Sequence, residues 1–228
     1  MPPKRVVIIG GGPAGMGVAN GLSGASAKGS VEVTILERKD HFDIICGTPR
    51  ALVNASYADE VLLPLDRMMK GQKKPSVVAV KDITAIGEGS VSYVTPGGQT
   101  QELRADAIVI ATGTSYKGSF MKNNGGLSKQ AWLQKMAEWR AAAAKARHIL
   151  IVGGGVTGVE LAGELATEHP GCKITLVHSG QDLCSVGKGV HDSVMSGLKA
   201  LPGTVEVITG DKVEVLIFYN IIIIKDSW

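Results

Sequence analysis

Aromatic side chains are scarce in this chain, at 4% of 228 residues, and the formal net charge is only +3. A nucleic-acid surface needs a broad basic face with stacking aromatics. The one basic cluster, Lys70, Lys73 and Lys74, contains Gly71 and Gln72 and ends at Pro75, so it reads as a solvated loop. Nucleic acid is not an expected partner. Cysteine is equally sparse. Cys46, Cys172 and Cys184 have no C-x-x-C or metal-ligand spacing, so no metal is expected and the thiols read as small hydrophobes in a reducing compartment. No apolar run reaches the roughly twenty residues of a membrane span. Pro2 stands where N-myristoylation requires glycine, and no signal peptide is visible. The expected location is the cytoplasm, with the mitochondrion or a membrane surface as alternatives.

Glycine is what the chain has in quantity, 30 residues of it, and two glycine turns organise the sequence. In "KRVVIIGGGPAGMGVANGL" the apolar run Val6–Ile9 predicts a strand buried on both faces. Gly10, Gly12 and Gly15 follow with G-x-G-x-x-G spacing and take in Gly11, Pro13 and Ala14. A helix is expected from Gly17 and a second strand over 31–36, ending at Glu37. This order is the βαβ unit that places a pyrophosphate at a helix N-terminus, with the acid accepting from ribose hydroxyls. "RHILIVGGGVTGVELAGELA" repeats it with Gly153, Gly155, Val156 and Gly158, 143 residues further on. Its second strand ends at His178, where no acid stands. A carboxylate there would repel a ribose 2′-phosphate and a histidine would not, so this site is expected to take NADPH as well as NADH. Between the repeats, turns at Gly87–Gly89 and Pro96–Gly98 predict an antiparallel meander leading into a buried strand over 107–111. A helix follows, with Ser128 as a possible N-cap. Later, a helix near 190–201 and the strand "VEVITG" are expected.

Two cradles imply two dinucleotides, the need of a protein that passes hydride from a nicotinamide to a bound flavin. Here the chain resembles the pyridine nucleotide–disulfide oxidoreductase superfamily through "VVIIGGGPAG", "ADAIVIATGT" and "ILIVGGGVTGVELAGELA". It is most similar to the apoptosis-inducing-factor-like branch, with ferroptosis suppressor proteins and type II NADH dehydrogenases. The grounds are the second cradle and "TPRALV". The resemblance implies an α/β fold of two Rossmann-like units, the second inserted in the first, with the small meander. It implies FAD and NAD(P)H as cofactors and a quinone-like acceptor, with peripheral membrane contact in the full-length family. It implies that Arg50 contacts the flavin cofactor, that Ile83 meets the adenine through its backbone, and that Thr112 and Gly113 lie near FAD. Glu160 would face the nicotinamide–flavin junction, or be a first-turn residue favouring the helix dipole. Lys117 would lie near the flavin, or be a solvated lysine. The expected domains are 1–116 for FAD and 117–216 for NAD(P)H, with 217–228 an atypical tail.

Two departures qualify the resemblance. Cys46 has Ala51 where the superfamily's disulfide reductases carry a second cysteine, so dithiol chemistry is not expected. The family's later Gly-Asp strand has no counterpart, because Gly210-Asp211 falls inside the second unit and reads as a turn. A truncated product is therefore expected, and a non-catalytic dinucleotide binder is the alternative function. The tail "VEVLIFYNIIIIKDSW" stays open between a C-terminal strand with a frayed end and a stretch not selected as protein. As an exposed strand it would be an aggregation hazard.

Overall fold

The computed structural model describes residues 1–115, 122–123 and 125–213, and the backbone of 222–225. The chain divides into two units. The first takes Met1–Ile44, Glu60–Ser115 and Asn123–Trp132. The second takes Ile45–Asp59 and the chain from Leu133 onward. The segment 45–59 thus groups with the second unit, where a single cut at 116/117 would put it with the first.

In the first unit, β1 (Lys4–Ile9), α1 (Pro13–Gly21), α2 (Ser23–Ala27) and β2 (Val31–Glu37) form the first βαβ. The short strands β3 (His41–Asp43) and β4 (Leu62–Pro64) pair with each other. β5 (Ser76–Ala79) joins a parallel sheet of order β5-β2-β1-β9, where β9 is Ala107–Ile110. β6 (Asp82–Gly87), β7 (Ser90–Val94) and β8 (Thr100–Arg104) are the expected antiparallel meander, turning where the sequence turns. The continuous apolar run of β1 serves two cores. Val6 and Ile8 pack with Met16, Val33, Ile35 and Phe42. Val7 and Ile9 pack on the other side with Leu36, Val91 and Tyr93. Alternate residues of a strand face opposite ways, so a strand between two cores cannot alternate apolar with polar. Ile8 is fully buried, worth about 2–3 kcal/mol over exposure.

Two expectations change here. The helix begins at Pro13, inside the glycine turn, because Gly12 caps it and proline's fixed φ suits the first helical position. The strand after the meander is not buried. β9 has β1 on one side and no described strand on the other, and Ile110 is 66% exposed.

Beside the sheet, His41 is 1% exposed and held between two carboxylates. Its Nδ1 lies 2.7 Å from Asp40 Oδ1. Its Nε2 makes a 2.8 Å ion-pair contact with Asp43 Oδ1. Lys39 pairs with the other oxygen of Asp43. Burial disfavours the charged imidazole, but the two carboxylates outweigh it and raise its pKa. Asp43 is pushed up by burial and pulled further down by His41 and Lys39, so its pKa is lowered.

In the second unit, α3 (Thr48–Ala51) and α4 (Ala55–Ala58) precede α5 (Lys129–Lys145), whose first four residues group with the first unit. Ser128 caps α5: its Oγ accepts from Ala131 N at 3.3 Å. Then come β10 (His148–Val152), α6 (Val156–Glu168), β11 (Lys173–His178), α7 (Lys188–Lys199) and β12 (Val205–Thr209). The strand β13 (Ile222–Lys225) comes from the tail. The sheet order is β12-β11-β10-β13, all parallel. The tail therefore contributes a paired strand. Gly210-Asp211 follows β12 as a bend with φ +74° at Gly210.

The two sheets repeat in register. Ile9 pairs with Leu36 on one side and Ile110 on the other. Val152, 143 residues on, pairs with Val177 and Lys225. Gly10 N–H donates to Leu36 O, and Gly153 N–H to Val177 O. Glu37 and His178 thus hold equivalent positions.

Candidate functional site: two glycine cradles

The first cradle is forced by contact. Gly10 has φ +104°, and a Cβ on it would lie 2.4 Å from Ala111 O. A Cβ on Gly15 would lie 1.9 Å from Gly10 O. Both positions require glycine, the first for conformation and space, the second for the close approach of α1 to the turn. Around Gly12, by contrast, a Cβ would meet nothing within 4 Å. No side chain caps α1. Its first-turn N–H groups therefore border open space at the positive end of a helix, the requirement of a bound phosphate. Pro13 lacks an N–H; Ala14 and Gly15 have one. The residues present fit a dinucleotide. Ala111 carries the wall and brings Thr112 to the turn; Gly113 follows at φ +69°.

Glu37 stands at the end of β2, 8% exposed. Its Oε2 accepts from Gly11 N at 2.5 Å. Its Oε1 accepts from Arg38 N at 2.8 Å and Lys39 N at 3.0 Å. A carboxylate offers about four lone-pair sites, so one remains, on Oε2. Ile83 lies on β6 and packs on the core that holds Ile9 and Leu36. Its N–H already donates to Asp82 Oδ1 at 2.9 Å, so an adenine contact through that N–H would have to displace Asp82.

The second cradle matches the first. Gly153 has φ +114°. A Cβ on Gly158 would lie 2.0 Å from Gly153 O. Gly155 caps α6 with no side-chain hydrogen bond, and Val156 opens the helix, 56% exposed. His178 Nδ1 accepts from Gly154 N at 3.2 Å, as Glu37 accepts from Gly11. An N–H can only donate, so Nδ1 carries no proton and the neutral ring keeps its hydrogen on Nε2. That Nε2 is buried without a partner among the described residues. Gly154 was not singled out in the sequence. A Cβ there would lie 2.5 Å from Leu183 Cδ2 and 2.8 Å from His178 Cβ. The middle glycine of "GGG" signalled it, whereas nothing in the sequence signalled Leu183.

Glu160 and Arg50 both line a cavity of about 410 Å³ in the second unit, with Gly163, Glu164, Gly197 and Leu198. Arg50 Nε donates to Glu164 Oε1 at 3.1 Å, and its guanidinium lies 5.8 Å from the Tyr57 ring centre. Burial and the Glu164 charge raise the pKa of Glu160. Glu160 is five residues beyond the Gly155 cap, and the first turn of α6 holds no acid. The helix-dipole reading of Glu160 therefore does not hold. Lys117 lies outside the described residues. Cys46, Cys172 and Cys184 are free thiols, and no metal-holding cluster occurs among the described residues.

The pyridine nucleotide-disulphide oxidoreductase family matches residues 4–217. Apoptosis-inducing factor homolog B of Dictyostelium discoideum is 32% identical over 220 residues, 92% of this chain and 52% of that protein. Ferroptosis suppressor protein 1 of Xenopus tropicalis is 31% identical over 186 residues, 80% of this chain and 46% of that protein. The chain thus spans about half the length of these relatives. Among solved structures, NDH2 from Plasmodium falciparum in complex with NADH has a TM-score of 0.73 at 14% identity, covering 99% of this chain and 55% of that one. That likeness shows the fold, α/β with Rossmann-like units.

Proposed function

This chain belongs to the pyridine nucleotide-disulphide oxidoreductase family, and on that footing we propose that it is the two-cradle part of an FAD-dependent NAD(P)H oxidoreductase with a quinone-like acceptor. The observation that carries this reading is the doubled cradle: two open helix N-termini in the same register, each with an acceptor bound to its second glycine N–H. FAD bound at the first cradle would supply a flavin able to take hydride from a nicotinamide and release electrons to the acceptor.

The protein's own part is to bind and orient. The N–H groups at Gly12–Gly15 hold one pyrophosphate, and the free lone pair of Glu37 Oε2 takes a ribose hydroxyl. The N–H groups at Gly155–Gly158 hold the other. His178 stands where a carboxylate would repel a ribose 2′-phosphate and brings no such repulsion, so both NADH and NADPH are accepted. Glu160, with its pKa raised, faces the nicotinamide side, and Arg50 the flavin. Thr112 and Gly113 border the flavin cofactor. The proposed location is the cytoplasm. No helix among the described residues is long and apolar enough to cross a membrane.

The visible absorption spectrum of the desalted protein tests this. A bound-flavin spectrum that bleaches on adding NAD(P)H is expected. Folded protein without flavin, still binding NAD(P)H, would sink the oxidoreductase reading and leave a non-catalytic dinucleotide binder.

A further inference from the structure

The tail strand has a counterpart in the first unit. There, β9 flanks β1 and carries the wall of the cradle. Ala111 N–H continues the ladder to Ile9 O, and Ala111 O fills the space where Gly10 would place a Cβ. In the second unit, β13 flanks β10 at the same register, Lys225 opposite Val152 as Ile110 is opposite Ile9. Val152 leads directly into Gly153, whose other side is tied to β11 through Val177 O. A parallel strand sends its N–H and C=O groups alternately to both neighbours, so β10 needs a partner on each flank to be fixed up to its last residue. The tail sequence suits that place, with four consecutive isoleucines, 221–224, of high strand propensity.

We propose that β13 is the closing strand of the second nucleotide cradle, holding the carboxyl end of β10 so that the Gly153–Gly155 turn keeps its phosphate-binding form. The part that concerns nucleotide rests on the two-cradle reading above. The part that concerns the turn does not. The tail is on this view a working element of the binding unit.

An edge strand donates to its neighbour through every second N–H, and proline is tolerated where the N–H points away from the sheet. Two double variants therefore separate the ladder from everything else: Ile222→Pro with Ile224→Pro, and Ile223→Pro with Lys225→Pro. Amide hydrogen exchange at Ile149–Gly155 and NADH affinity are measured in the full chain. One variant is expected to speed exchange across 149–155 at least tenfold and to weaken NADH at least fivefold. The other is expected to change both less than twofold, with the amides of β11 and β12 still protected in each. Equal effects of the two variants, or no effect of either, overturn the proposal. Wild-type protein that binds no NADH refutes the two-cradle reading alone, because the exchange pattern still decides whether β13 holds the turn.

Discussion

On the proposed two-cradle reading, nucleotide choice turns on His178. Replacing it by aspartate, His178→Asp, puts a negative charge where the ribose 2′-phosphate would sit. The NADPH-to-NADH dissociation-constant ratio is expected to rise at least tenfold, about 1.4 kcal/mol, in a titration with both nucleotides. His41 sets a pH dependence. Its folded pKa lies above the ordinary 6.5, so its stabilising charge is fully present below that value and is lost as pH rises through the folded value. Asp40 and Asp43 act oppositely: their contribution is present above the ordinary 3.8 and is lost as acid carries the pH below their lowered values. The Lys39 charge, already paired with Asp43, opposes the raised value of His41, and Lys129 N–H holds Asp40. The melting temperature is expected to fall as pH is raised from about 6.5 to 9. His41→Asn should flatten that slope and cost about 3 kcal/mol near pH 6. The sequence marked Glu37 and His178 by their distance from the glycines. It did not show that each holds a backbone N–H of its own turn, because that contact depends on the register of two strands.

At the scale of the element, Ser128 is the plainest case. Its hydroxyl meets one of the N–H groups that a helix start leaves open, so Ser128→Ala is expected to cost about 1 kcal/mol in urea unfolding. The capping residue was legible because serine before an alanine-rich run is a local signal. The meander was legible for the same reason, its turns being written as Gly87–Gly89 and Pro96–Gly98. The start of α1 was misplaced toward Gly17, since a glycine-rich stretch reads as turn, while the observed helix already runs from Pro13. The strand expected over 107–111 read as buried because its residues are apolar. Burial on the outer side depends on a further neighbour, which no local pattern reports.

For the molecule as a whole, the flank of β9 on which no described strand pairs is the main liability. An exposed isoleucine on an unpaired edge invites strand addition from another copy. Ile110→Thr is expected to leave unfolding free energy within about 0.5 kcal/mol and to lower light scattering on standing. The doubled architecture was legible from the two glycine turns, because each repeat is local. The pairing of 222–225 with β10 was not, since it joins Ile149 to Ile222 across the second unit.

The contact between Gly10 and Ala111 also sets an order of events during synthesis. β1 leaves the ribosome before β2, and β2 can pair with it soon after. Its other partner is a long way off: Arg5 N–H donates to Asp106 Oδ2 across a sequence separation of 101 residues. Closing so long a loop is slow, and nothing nearer can stand in for β9. The first glycine turn therefore takes its final shape only after β9 has been made, long after β1 itself. Until then the nascent chain carries a half-made sheet whose edge is open to chaperones and to other chains alike.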